Sequence, residues 1–170
     1  MRFGLLADTH DHLGHVALAV GEFKVRGVTG ILHAGDMTGP GVVLAMDGFA
    51  VTGVLGNNDH RQHGALLRAF GSIGGDLPGE FAEMSLPGDG GLLAIYHGTE
   101  RHFLDALITR GGYAVVVCGH THRIRNERVG GTLVLNPGTA HGYGGRATAM
   151  IYDSVQAVAE LIELDAGTPG

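Results

Sequence analysis

Cysteine, tryptophan and long apolar runs are scarce or absent in this sequence. Cys118 is the only cysteine among 170 residues, and there is no tryptophan. An internal disulfide is therefore excluded, and a reducing, cytoplasmic setting is expected. The longest apolar runs have the length of a strand, which predicts no membrane span. The opening segment MRFGLLAD reaches a carboxylate too early for a signal peptide, so we expect no export signal.

Basic residues are also few. The chain has 11 Lys and Arg against 17 Asp and Glu, and its net charge is −6 with histidine neutral. The basic residues are scattered, whereas proteins that bind long nucleic acids cluster them to hold the phosphates, so such a partner is disfavoured. Histidine is abundant by contrast, because its 11 copies equal Lys and Arg together. Such an excess points to metal binding.

Hydrophobic patterning predicts an α/β fold. Strand-like runs alternate with helical segments in the first half, which favours parallel pairing with right-handed crossovers. After Tyr113 one strand follows another, which predicts a second, mixed sheet. The predicted strands are 2–7, 30–35, 50–56, 92–96, 113–118, 132–135, 147–152 and 158–164, and the predicted helices are 13–24, 64–70 and 102–110. We expect a single domain over 1–165, with enough apolar residues for a core, and a flexible tail at 166–170.

Five short polar motifs follow predicted strands. They are DTH at 8–10, GD at 35–36, GNND at 56–59, HG at 97–98 and GHTH at 119–122. Because ligands bind at the carboxyl ends of the strands in open α/β sheets, these loops should converge at one edge. Each motif alone would more often be an ordinary turn, whereas all five in this order predict one site.

The side chains of these motifs are of the kinds that hold divalent metal ions. A strand end that stays extended would place Asp8 and His10 on the same side, and the histidines of GHTH repeat that spacing. The two oxygens of Asp36 could each bind a different ion, and Asn57 would add a neutral amide oxygen. Two carboxylates and two divalent ions would leave a net charge of about +2, which attracts phosphate and acidifies a bridging water.

The motif order DxH, GD, GNxD, HG, GHxH resembles that of the calcineurin-like metallophosphoesterase superfamily. The short length and the NPG at 136–138 are similar to its small bacterial and archaeal phosphodiesterase branch, and the resemblance covers residues 1 to roughly 140. It implies a four-layer αββα sandwich with two mixed β-sheets and a dinuclear metal site at the carboxyl ends of the strands. It also implies a metal-dependent hydrolase that acts on small phosphodiesters.

The resemblance further implies a set of ligands. One ion would be held by Asp8, His10, Asp36 and His122, and the second by Asp36, Asn57, His97 and His120. A hydroxide bridging the ions would attack phosphorus in line with the leaving oxygen. Nitrogen and oxygen ligands permit Fe, Ni, Co or Zn, and Mn²⁺ is preferred because hard oxygen ligands and the resemblance both favour it.

The general acid departs from the family pattern. Many relatives have a histidine in this role at the third position of GNxD, but this chain has Asn58, which cannot deliver a proton near neutral pH. The predicted catalytic residues are therefore Asp36, Asn57 and two candidate proton donors, His12 and His60. Each of these histidines could instead be an ordinary exposed residue.

Other residues have more ordinary interpretations. His33, Cys118 and Asp59 are expected to be a satisfied strand histidine, a buried inert thiol and a carboxylate that orients a neighbouring loop. His141, after the NPG turn, could border the pocket or lie in a plain loop. Thr99, where relatives often have histidine, would alter the substrate rim.

Several functions stay open at this stage. A diester is favoured over a monoester because few cationic residues lie near the motifs. A phosphomonoesterase, a nuclease of the same superfamily or a non-catalytic metal-binding scaffold would fit the same ligands, and a homo-oligomer is also open. The intact ligand types argue against the scaffold, and the acidic balance argues against a nuclease.

Overall fold

The computed structural model describes residues 1–143 and 145–164, which form ten strands and four α-helices. In chain order they are β1 (Arg2–Leu6), α1 (Leu13–Val25), β2 (Gly30–His33), α2 (Pro40–Ala45), β3 (Ala50–Gly53), α3 (His63–Ser72), β4 (Phe81–Ser85), β5 (Leu92–Tyr96), α4 (Arg101–Arg110), β6 (Val115–Val117), β7 (Arg125–Val129), β8 (Thr132–Asn136), β9 (Thr148–Asp153) and β10 (Val158–Glu163). A short 3-10 turn, His60–Gln62, precedes α3. The tail predicted at 166–170 lies outside the described residues, and the single-domain boundary stays a prediction.

The strands form two five-stranded sheets. The first has the order β10-β9-β1-β2-β3, in which β1, β2 and β3 are parallel and the other two strands are antiparallel additions. The second has the order β4-β5-β6-β8-β7, with a parallel centre and an antiparallel strand at each edge. Both sheets are therefore mixed. The strands after Tyr113 do not all enter the second sheet, since β9 and β10 return to the first.

Three apolar clusters separate the layers. Consecutive residues of β1 point to opposite faces, so Leu5 enters the cluster between the sheets and Leu6 enters the cluster beneath α1, α2 and α3. On the outer face of the second sheet, Leu104 and Ile108 of α4 form a third cluster with sheet residues. Burial on both faces explains why the parallel strands are continuously apolar. The result is a four-layer αββα sandwich, which confirms the predicted fold class.

Three elements escaped the sequence prediction, namely α2, β4 and β7. Helix α2 has six residues and begins with Pro40, so it is too short to show a helical period. β7 has the sequence RNERV with exposed central residues, and β4 is the edge strand on the other side. The strands predicted over 30–35 and 50–56 end early, at His33 and Gly53, because the chain turns into the motif loops.

All five motifs emerge at one edge of the sandwich. Asp8 N–H donates to the Gly35 carbonyl at 3.0 Å, and Gly119 N–H donates to the His97 carbonyl at 2.9 Å, so the loops are bonded to one another. We call this end the motif edge; it comprises the loops at 7–12, 34–39, 54–59, 97–100, 118–123 and 137–142. The opposite end, the far edge, comprises the turns at 26–29, 46–49, 86–91, 111–114, 130–131 and 154–157. Among the described helices, none is long and apolar enough to cross a membrane.

Candidate metal centre

The backbone at the motif edge adopts a conformation that is rare for residues other than glycine. Asp8 and His10 have φ angles of 51° and 41°, so the DTH segment curls directly after β1, and the prediction that it stays extended was wrong. Clusters of left-handed backbone mark functional sites, and Asp and His are among the side chains that tolerate it best. At this edge it occurs at seven non-glycine residues: Asp8, His10, Asp11, Asp36, Thr38, His120 and His122.

Two buried carboxylates form the middle of the site. Asp8 Oδ1 lies 3.2 Å from His122 Nε2 and 4.0 Å from His97 Nε2. Asp36 Oδ2 lies 3.4 Å from His97 Nε2 and 3.7 Å from His10 Nε2. The ligand atoms therefore gather in two groups, each within 4.8 Å: Asp8 with His10 and His122, and Asp8 with Asp36 and His97.

Two polar atoms at the centre lack partners. Asp8 Oδ1 and His97 Nε2 are buried, and neither has a hydrogen-bond partner among the described residues. His97 Nδ1 lies 2.7 Å from the Ala34 carbonyl, which can only accept, so Nδ1 carries a proton. Burial lowers the pKa of His97, but Asp36 and Asp8 outweigh it and raise that pKa, so Nε2 would give up its proton on binding a metal. A buried polar atom without a partner costs about 1–3 kcal/mol. A divalent ion with nitrogen and oxygen ligands would remove that cost at both atoms, so the side chains fit a metal.

The glycines of GD and GNND allow ligands to approach the backbone. A Cβ on Gly35 would lie 2.7 Å from His97 Nδ1, and a Cβ on Gly56 would overlap Asp36 Oδ1. Real Cβ atoms do not approach their neighbours so closely. Gly35 also has a φ of 94°, whereas at Gly56 the requirement is purely steric.

A buried chain of hydrogen bonds joins the DTH loop to the GD loop. His33 Nδ1 accepts from the Gly35 N–H at 3.2 Å, which leaves Nε2–H to donate to Thr9 Oγ1 at 3.1 Å. Thr9 Oγ1 donates in turn to the Asp36 carbonyl at 3.4 Å. Burial lowers the pKa of His33 to about 3, so the ring is neutral. The prediction of a satisfied strand histidine is confirmed, whereas no sequence signal identified Thr9 as its partner.

Asp59 fixes the loop that carries Asp36. Its buried carboxylate accepts the backbone N–H groups of Asp36, Thr38 and Gly56, each at 2.8 Å. Burial raises the pKa of Asp59, and these hydrogen bonds oppose the rise. The prediction that this carboxylate orients a neighbouring loop is confirmed.

Asn58 makes a contact that the sequence did not suggest. Its backbone N–H donates to Asp36 Oδ1 at 2.9 Å, and its side-chain amide donates to Oδ2 at 2.7 Å. Burial alone would raise the pKa of Asp36, but the nearby His97 and these two bonds outweigh it and lower that pKa. Asp8 accepts the His120 N–H at 3.0 Å, and burial raises its pKa to about 7 although His97 opposes the rise. Metal binding at Asp8 would therefore release a proton.

The other predicted ligands lie at the rim. The ring of His120 is exposed and edge-on to His97, with centroids 5.1 Å apart. Asn57 is exposed and lines an open cleft of about 630 Å³. We call it the polar cleft; its walls are formed by His10, Thr38, Asn57, Asn58, His60 and Arg61. The described structure thus brings five of the seven predicted ligands into the two groups and places these two nearby.

The two candidate proton donors have different surroundings. His12 Nδ1 accepts the His15 N–H at 3.2 Å and so caps α1, and the two rings stack with centroids 3.8 Å apart. His60 is exposed in the polar cleft, and its Nε2 lies 3.6 Å from Glu80 Oε1. His12 is therefore committed to a structural contact at one nitrogen, whereas His60 faces the open side of the site.

Comparisons with known proteins give the relatives of this chain. Residues 1–157 match the model of the calcineurin-like phosphoesterase superfamily domain. A curated phosphodiesterase of Methanocaldococcus jannaschii is 31% identical over 146 residues, which are 84% of this chain and 86% of the relative. The solved structure of an archaeal phosphodiesterase has a TM-score of 0.87 at 30% identity and covers 96% of this chain and 99% of its own. A phosphoesterase from E. coli has a TM-score of 0.68 at 18% identity, with coverage of 97% and 100%, and shows the shared fold alone.

Proposed function

The chain belongs to the calcineurin-like phosphoesterase superfamily, and we propose that it is a dinuclear-metal-dependent phosphodiesterase of small substrates. The observation that carries this proposal is the pair of buried, unpartnered atoms Asp8 Oδ1 and His97 Nε2, which face each other beside Asp36. A stable fold retains such atoms where a ligand satisfies them. Divalent metal ions are the ligands that both atoms suit.

Two sets of side chains would hold the ions. The first set is Asp8, His10, Asp36 and His122, and the second is Asp36, Asn57, His97 and His120. Asp36 Oδ2 lies within 3.7 Å of both His10 and His97, one member of each set. Asp8 also lies near both sets, but its distance to His97 is 4.0 Å, so we assign Asp36 as the shared ligand. Mn²⁺ is the proposed metal, and Fe, Ni, Co or Zn would suit the same nitrogen and oxygen donors.

The chain's own side chains would prepare the reaction. When bound, two divalent ions would supply an activated water as nucleophile and positive charge against the phosphoryl oxygens. Asn58 donates hydrogen bonds to both carboxylate oxygens of Asp36. The Ala34 carbonyl accepts from His97 Nδ1 and so leaves Nε2 to bind a metal. We assign proton delivery to the leaving oxygen to His60 before His12, because His60 lies in the polar cleft whereas one nitrogen of His12 caps a helix.

A small diester suits the charges of the site. Arg61 is the only Lys or Arg among the described residues of the polar cleft, so a singly charged phosphate is easier to neutralise than a doubly charged one. The curated archaeal relative and the solved archaeal structure both carry the name phosphodiesterase, which supports the same choice. The net charge of −6 disfavours a long polynucleotide.

The test is hydrolysis by metal-stripped protein that is resupplied with one divalent ion at a time. The substrates are bis(p-nitrophenyl) phosphate, p-nitrophenyl phosphate and single-stranded DNA, and bound metal is counted by elemental analysis. We expect two ions per chain and turnover of the diester, fastest with Mn²⁺. Asp36→Asn should lose at least about a thousandfold in kcat/KM, because the shared ligand loses its charge, whereas the exposed Asp47→Asn should match the parent.

Three results would count against the proposal. Diester turnover by the metal-stripped protein without added metal would contradict a metal-dependent mechanism. Two bound ions without turnover of any of the substrates would favour the scaffold. Faster turnover of the monoester or of single-stranded DNA would select one of the two other esterase activities.

A further inference from the structure

Two hollows flank His10 at the motif edge. On one side lies the polar cleft, with its amides, His60 and Arg61. On the other side is a smaller hollow of about 240 Å³, which we call the ring hollow and which is lined by His10, His122, His141 and Tyr143. A phosphate bound at the metal centre would therefore have a recess on each side.

The ring hollow is built from four rings. The centroid of His10 lies 5.8 Å from that of His122 and 6.0 Å from that of His141, in both cases edge-on. The ring of Tyr143 follows at 5.7 Å from His141, tilted by 47°. The wall that these rings present is almost entirely carbon, and none of the four residues is acidic or carries a permanent positive charge. Such a wall offers stacking and edge-to-face contacts to another flat ring.

Tyr143 forms the outer side of this wall. Its side chain is 78% exposed, which leaves an aromatic ring in water beside the candidate metal centre. A tyrosine supplies wide contact area at a small loss of conformational freedom, because it has few rotatable bonds. The ring belongs to none of the core clusters, so it is free to cover a ligand that enters the hollow.

We propose that the ring hollow binds a planar aromatic or heteroaromatic group, such as a nucleobase, carried on one arm of the phosphodiester. This inference rests on the proposed function, because His10 and His122 would bind a metal through Nε2 while their carbon edges face the hollow. The volume is below the range of about 300–1,000 Å³ that holds a whole small molecule, so the hollow suits one arm. The other arm would lie in the polar cleft.

The test compares two phosphates that differ only in a base. Binding of adenosine 5′-monophosphate and of ribose 5-phosphate to the Mn²⁺-loaded protein is measured by titration calorimetry. Stacking of one base on an aromatic side chain corresponds to roughly a five- to 150-fold gain in affinity. We expect the nucleotide to bind about tenfold more tightly than the sugar phosphate.

Variants of Tyr143 then locate the effect. Tyr143→Ala should bring the ratio of the two affinities close to one, and Tyr143→Phe should preserve it, because the ring and not the hydroxyl is used. Arg61→Ala, in the polar cleft, should change both affinities by the same factor and leave the ratio intact. Since the side chain of Tyr143 is exposed, neither substitution of Tyr143 should affect folding.

The outcomes separate this inference from the proposed function. Equal binding of the two ligands by the parent protein, or an unchanged ratio in Tyr143→Ala, would overturn the ring hollow as a base site while the metal centre still binds phosphate. Failure of both phosphates to bind would overturn the inference alone if the same metal-loaded protein hydrolyses bis(p-nitrophenyl) phosphate, and the proposed function as well if it does not.

Discussion

At the motif edge seven non-glycine residues have a left-handed backbone, whereas at the far edge only Ala157 does among the described residues. The far edge places that conformation on glycines such as Gly27, Gly48 and Gly130, where an added Cβ would meet nothing within 4 Å. Glycine adopts it without a steric penalty. At the motif edge it falls instead on aspartates, histidines and one threonine, where backbone hydrogen bonds between neighbouring loops hold the chain.

The glycines of the two edges therefore have different roles, and alanine substitution should separate them. Gly56→Ala drives a methyl group against Asp36, and a ligand displaced by about 1 Å can lower activity by about a hundredfold or more. Gly130→Ala meets open space at a φ of 59° and should lower the free energy of unfolding by about 1 kcal/mol without a change in activity. Diester hydrolysis, metal content and thermal unfolding measure both variants. Full activity with two bound ions in Gly56→Ala would show that the contact with Asp36 is dispensable.

The two edges also differ in what their aspartates hold. Asp59 accepts three backbone N–H groups in a buried position, and an asparagine there would turn its own N–H₂ group toward one of those donors. Asp59→Asn should lose about 3 kcal/mol of unfolding free energy. Asp47, on the far edge, accepts one exposed N–H from Gly48, so Asp47→Asn should stay within about 0.5 kcal/mol of the parent. Urea titration compares the two, and equal losses would refute the distinction.

Much of the motif edge could be predicted because the candidate ligands belong to short local sequence motifs. DTH, GD and GHTH each follow a strand, and the rule that parallel strands present their carboxyl ends at one edge brings them together without knowledge of the tertiary structure. The spacing argument for Asp8 failed, however, because the chain leaves the β conformation directly after β1. Left-handed backbone at an aspartate is set by its neighbours and has no sequence signature.

The contacts that complete the site are long-range, which explains why the sequence did not predict them. Thr139 donates to the Asp8 carbonyl from 131 positions away, and Tyr143 reaches the ring hollow from a loop with no motif. Edge strands such as β7 were not predicted for a related reason. One side of an edge strand faces solvent, so its sequence does not need to alternate between apolar and polar residues. The local motifs could be recognised from the sequence, whereas the contacts that support them depend on how the two sheets pack.

His33 provides a pH-dependent test of the buried contacts at the motif edge. Its pKa is lowered from 6.5 to about 3 because burial disfavours the charged ring. The stability that this neutral ring contributes is complete above pH 6.5 and is lost as the pH falls toward 3. Relative to His33→Gln, the metal-free parent should lose about 2 kcal/mol between pH 7 and pH 5. Urea titrations in EDTA at several pH values measure this difference, and parallel pH profiles for the two proteins would contradict the burial argument.

Ala157 gives the smallest effect and tests whether strain at the far edge has any use. It lies in the turn between β9 and β10 with a φ of 52°, a conformation that costs about 1–2 kcal/mol for residues with a Cβ. Glycine would relieve it but would gain entropy in the unfolded chain, so Ala157→Gly should stabilise the protein by about 0.5–1 kcal/mol. The neighbouring Gln156→Gly removes no strain and should destabilise by a similar amount, about 0.5–1 kcal/mol. The unfolding temperatures of the two variants should therefore shift in opposite directions, and diester hydrolysis should stay unchanged because Ala157 lies at the edge opposite the candidate site. A loss of activity in Ala157→Gly would connect the far edge to that site.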